Sequence, residues 1–135
     1  MHTPSHSSSI RVTAALRKYL RERKASEKHT ESLAQFLSTL TVSQPKILDG
    51  GEPREPVTLS MVITGNVPNI DGYKPVVRIG NKFGKLEKIS AKIDSIQGQI
   101  VEANENMRDC RGKLNRLLGK RAADQLIRER VSRAA

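Results

Sequence analysis

From Leu86 the chain repeats in heptads for 32 residues with no break of phase. Leu86, Ile93, Ile100, Met107 and Leu114 fall at position a, and Ile89, Ile96, Ala103, Cys110 and Leu117 at d. All ten are apolar or small. A stripe this narrow suits a helix that wraps another helix, because a helix lying on a globular core shows a wider apolar face. β-Branched side chains at both a and d (Ile89, Ile93, Ile96, Ile100) disfavour a parallel dimer and shift the preference to a trimer, with a tetramer or an antiparallel pairing as alternatives. Gln97, Gln99, Asn104 and Asn106 occupy e and g, so no charge code selects a foreign partner and self-association is the simplest expectation. Position f carries Gly98 and Gly112, each costing about 1 kcal/mol of helix propensity relative to alanine. Either another backbone packs along this stripe or the helix tolerates the glycines.

Composition supports the same expectation. Aromatic residues make up 3% of the 135 and tryptophan is absent, which leaves little bulk for a private core and predicts burial against copies or a partner. One cysteine, Cys110, excludes an intrachain disulfide framework and a multi-thiolate zinc site, and suits a reducing compartment, cytoplasm or nucleus. No stretch approaches the ~20 apolar residues of a membrane span, and no signal-type apolar region follows Met1.

Residues 1–9 are small and polar and read as a flexible tail. Ser9 is a candidate N-cap for a basic amphipathic helical segment over 10–41. Val12, Ala15, Leu16, Tyr19 and Leu20 share one face, and Arg17, Arg21, Lys24 and Lys28 form a stripe roughly 130° away. Leu33, Phe36, Leu37 and Leu40 make a second apolar group with Thr30 as its possible cap; the pattern leaves open whether the helix bends around 26–30. Residues 42–56 hold three prolines and a Gly-Gly pair and read as a linker. Alternation over 57–64, turn residues over 65–72 and a returning run over 73–79 predict a β-hairpin across 57–80. The heptad helix and its basic end span 85–132. After Leu117 the phase slips, leaving two readings: continuation past Gly119, or a short helix folding back. The expected fold is mainly α with a small β-hairpin, assembled as an elongated coiled-coil homo-oligomer. The helix–hairpin–helix order is similar to that of prefoldin-type chaperone subunits, from which the Pro/Gly linker and unequal helices depart; the likeness is one of element order alone.

Charge points to the partner. The chain has 24 basic and 14 acidic residues, a net charge of +10, with +3 in residues 1–56 and +7 in 57–135. Such a balance suits RNA or another polyanion, contacted through phosphates with little reading of sequence. The candidate contacts are Arg17, Arg21, Lys24 and Lys28 on the first helix, and Arg108, Arg111, Lys113, Arg116, Lys120 and Arg121 near the C-terminus. Tyr19 lies on an apolar face, so the sequence offers no evident aromatic platform for bases. The alternative role is a structural or assembly adaptor, of the viral scaffold or tegument type, that meets acidic protein surfaces.

Enzymatic chemistry finds no footing. Gly80–Lys85 sits between a strand-like run and a helix, but three residues separate its glycines where a P-loop has four, and Leu86 replaces the magnesium-binding hydroxyl. His2 and His6 lack a third ligand. No nucleophile motif is present, and neither a cofactor nor a metal is implied.

Overall fold

The computed structural model describes residues 6–47, 51 and 53–134. The chain is mainly helical with a small three-stranded antiparallel sheet. Its elements are α1 (His6–Ser38), β1 (Leu40–Val42), α2 (Leu59–Thr64), β2 (Val77–Ile79), β3 (Lys82–Phe83), α3 (Leu86–Leu118) and α4 (Lys120–Ala134). They are grouped in two compact units, one drawn from residues 1–30 and 97–135, the other from 31–96.

The heptad segment is α3, with Glu87 in its first turn and Arg116 in its last, each complementing the helix dipole. In the first unit its seam is covered by the chain itself. Ala15, Leu16 and Tyr19 of α1, Cys110 and Leu114 of α3, and Ala123 and Ile127 of α4 form one buried cluster. Ser26 donates from its hydroxyl to Asn104 Oδ1 at 2.8 Å, whereas Tyr19 clusters with Cys110 and Leu114. Rising numbers on α1 therefore meet falling numbers on α3: the two helices pair antiparallel here.

Gly119 ends α3. Its φ of 85° is left-handed, its N–H donates to Asn115 O at 2.8 Å, and its carbonyl accepts from Ala123 N at 3.0 Å. A single residue thus caps one helix and opens the next, and of the two readings the fold-back holds. The Arg111 guanidinium then reaches Asp124 across the α3–α4 corner.

The second unit is built around the sheet, in the order β1-β2-β3. Val57, Val62, Val77, Ile89 and Ile93 form its buried cluster, with Leu33, Phe36, Leu40 and Val42 packed against it. Gly84 makes this packing close. A Cβ there would lie 2.7 Å from Ile89 Cδ1 and 3.2 Å from Ile79 Cδ1, and Ile89, 1% exposed, has no room to retreat.

Several sequence expectations change. In place of the strand expected over 57–64, Leu59–Thr64 form the short helix α2. Thr58 caps it by accepting from Met61 N, and Gly65, at φ 79°, closes it with bonds to Met61 O and Val62 O. Eight residues satisfy a period of two and a helical turn alike, and the caps decide between them. The run 73–79 contributes only β2, whose partners are β1 and β3. The hairpin consequently closes around Gly80 and Asn81, at the start of the glycine-flanked segment that resembles a P-loop in sequence. Val42, expected in the linker, belongs to β1; residues 48–50 and 52 lie outside the described residues.

Helix α1 is unbroken across 26–30, because Thr30 donates its hydroxyl to Ser26 O within the helix and does not cap a new one. Residues 6–9, expected in a tail, are helical, while 1–5 lie outside the described residues. The side chain of Ser9 does not begin the helix, which is already formed at His6; its carbonyl accepts from Thr13.

Of the ten seam residues, Ile89, Ile93, Ala103, Cys110 and Leu114 are buried, Ile96, Ile100, Met107 and Leu117 are half-buried, and only Leu86 is exposed. All this cover comes from one chain, so burial of the seam does not require a second copy. The glycine stripe is open: nothing lies within 4 Å of a Cβ built at Gly98, and only the flexible end of Arg116, at 3.9 Å, approaches one at Gly112. Leu114→Ala, at a site with 0% exposure, is expected to cost about 2–5 kcal/mol in urea denaturation. Gly98→Ala is expected to stabilise by up to about 1 kcal/mol, and a loss of stability there would reveal an unseen neighbour.

Candidate functional site

The antiparallel pairing of α1 and α3 leaves a groove between them on the first unit. Ala14, Ala15 and Cys110 are too small to fill it, and with Leu117 they give it an apolar floor. Arg11, Lys18, Lys113 and Arg116 border a space of about 460 Å³, and no carboxylate lines it. Four cations gathered at one rim repel one another, an arrangement that a bound anion relieves; Glu22 and Asp109 are near enough to act on Cys110 but do not line the groove.

Each rim residue has its place in the helix repeat. Arg11 and Lys18 are seven apart and flank Ala14 and Ala15, two turns of one helix edge. Lys113 follows Cys110 by three residues and Arg116 follows Lys113 by three, the same edge of α3. The structure therefore joins two of the sequence candidates, Lys113 and Arg116, to two that were missed. Arg11 and Lys18 border the apolar face of α1 and stand apart from its basic stripe. Their spacing around two alanines was visible, but only the pairing partner reveals its use.

The remaining candidates lie elsewhere, four of them as one exposed stripe on the unbroken α1. Arg17, Arg21, Lys24 and Lys28 lie on α1 outside the groove. Arg108 is exposed on α3. Lys120 and Arg121 lie with Arg128 on α4, in a shallow depression that also includes Asp124. Arg111 is engaged: its hydrogen bond holds the Asp124 carboxyl below the ordinary carboxylate range, and Asp124 in turn raises Arg111.

Charge also segregates between the units. By sequence, residues 1–30 and 97–135 carry sixteen basic and seven acidic side chains, +9, whereas 31–96 carry eight and seven, +1. The unit that holds the groove holds almost the whole net charge.

No group of three or more metal-ligating side chains occurs among the described residues, and no described helix is long and apolar enough to cross a membrane. No protein-family model, curated protein or solved structure matches the chain.

Cys110 on the groove floor is 2% exposed. Burial raises its pKa above the ordinary 9.0, with Lys18 and Lys113 opposing from the rim. A thiol whose folded pKa is raised lends the fold stability that is complete below its unfolded pKa and is lost as pH rises through the folded one. Cys110 is accordingly expected to resist a thiol-labelling reagent in the native protein at neutral pH and to react fully in urea. Stability should fall above pH 9.0 by an amount that Cys110→Ala removes. Rapid labelling of the native protein at neutral pH would show an open thiol.

Proposed function

We propose that the protein is a non-enzymatic binder of RNA or a chemically similar polyanion, held mainly through phosphate contacts and with little reading of base sequence. The observation that carries this reading is the groove rimmed by Arg11, Lys18, Lys113 and Arg116 with no acidic residue among its walls. The +9 charge of the same unit supports it by drawing in a polyanion over longer range. Arg17, Arg21, Lys24 and Lys28, elsewhere on the surface of α1, extend the positive field.

Homo-oligomers stay within the proposal in a changed form. A trimer zipped through the a and d residues requires α1 and α4 to vacate a seam they already cover, so the binding unit of this reading is one chain. Further copies along a long polyanion would add avidity without a shared seam.

Two variants with equal reduction of charge separate a site from a diffuse field. In filter binding of a polyanionic RNA across salt concentrations, the wild type is expected to lose affinity steeply as salt rises. Changing Arg11, Lys18, Lys113 and Arg116 together to Gln is expected to flatten the slope of log affinity against log salt by about 0.7 for each single-strand phosphate that is no longer neutralised. Changing Arg17, Arg21, Lys24 and Lys28 to Gln should flatten it less. Equal flattening by the two variants would assign binding to net charge, and no binding by the wild type at low salt would leave the acidic-protein adaptor as the better account.

A further inference from the structure

We propose that the outward face of the β2–β3 hairpin is a stacking platform for an unpaired nucleobase, with Phe83 as its ring and Arg78, Lys85 and Lys88 as its phosphate contacts. The second unit supplies this surface, so it is a separate site from the groove; it rests on the polyanion reading for the class of partner only.

Strand register creates the platform. Arg78 pairs directly opposite Phe83, and Thr41 pairs opposite Arg78, so the three share the face of the sheet turned away from the core. Val77 and Ile79 alternate to the other face, where Val77 is buried. Phe83 is 73% exposed, the most exposed large hydrophobic side chain among the described residues. The Arg78 guanidinium lies 4.7 Å from the ring centroid. The guanidinium lies over one face of the ring, so a base can stack on the ring's other face or on the outer face of the guanidinium, and Arg contributes to stacking in its own right.

The platform is held firmly from behind. Gly84 N–H donates to Val77 O at 3.0 Å, and the absence of a side chain at Gly84 lets the backbone next to Phe83 press onto Ile79 and Ile89. A site on a fixed element loses little entropy when its ligand arrives. The proposal departs from the sequence expectation of no aromatic platform, because the strand register turns Phe83 outward.

Charge chooses the occupant. Within a unit of net +1, Arg78 shares the platform's face and Lys85 and Lys88, both exposed, follow Phe83 within five residues of sequence, with only Glu87 among them; Lys82, opposite Ile79, belongs to the other face. A ligand that is both flat and apolar on one part and anionic on another fits: a nucleotide in a single strand. A duplex hides its base faces in its own stack. An anionic membrane would have to insert Phe83 past the guanidinium stacked on it.

The test is fluorescence anisotropy of labelled single-stranded and duplex RNA of equal length at fixed salt, with folding of each variant checked by thermal melting. Phe83→Ala is expected to weaken single-strand binding by about 5- to 150-fold per stacked base and to leave duplex binding within about twofold. Phe83→Trp should restore single-strand affinity. Because the chain has no native tryptophan, the indole fluorescence of that variant reports the site alone and should be quenched by the single strand. Equal effects of Phe83→Ala on single strand and duplex, no effect on either, or indole fluorescence unquenched in Phe83→Trp would overturn the platform while leaving the groove reading intact. Loss of binding to phosphatidylserine-containing vesicles with single-strand binding unchanged would reassign the face to a lipid surface. Selective weakening in Phe83→Ala together with full affinity in the groove variant would uphold the platform and remove the groove.

Discussion

Everything else in the structure depends on how the narrow apolar seam of α3 is removed from water. Leu114 and Ile89 are the two largest fully buried side chains, and each sits at the heart of one cluster. One is covered by α1 and α4, the other by the sheet layer and the end of α1. A coiled-coil seam asks only for a complementary apolar ridge; it does not specify whose chain provides it. Here the ridge is local, and Gly119 brings a third helix to the same core.

The seam, its phase and its length were legible in the sequence, because a heptad repeat maintained from Leu86 to Leu117 leaves no other face to bury. Its covering was not. Val12, Leu16 and Tyr19 keep helical spacing that matches an antiparallel partner, but the same spacing serves an oligomer equally well. Between Leu20 and Leu33 the corresponding positions of α1 hold Arg23, Ser26 and Thr30, and this polar interval separates two apolar clusters along one helix. The sheet was misread for a related reason. Short runs such as 57–64 fit two periods at once, and β1 has only three residues, whose pairing with β2 lies across a long loop. Ser43 and Gln44 help fix that pairing. Ser43 Oγ accepts from Val76 N, and the Gln44 amide bridges to Val57 as a substitute strand edge. Side-chain bonds of that kind carry no periodicity.

The two proposed binding surfaces show the same division. A basic character was plain from composition, yet the residues it brought forward first, the exposed α1 stripe, lie outside the groove. Lys113 and Arg116 gain meaning from Arg11 and Lys18 across the helix pair, and Phe83 gains it from Arg78 across the hairpin. In both cases the proposed function rests on a juxtaposition set by backbone pairing. The cost is modest: small floor residues in the groove forgo some packing, and an exposed phenylalanine forgoes burial.

Whether one chain closes its own seam is tested most directly by thermal melting over a wide range of protein concentration, since a fold completed within the chain has no mass-action term. Self-closure predicts one cooperative transition whose midpoint stays fixed on dilution. A midpoint that climbs with concentration would show that copies, and not α1 and α4, supply the complementary ridge.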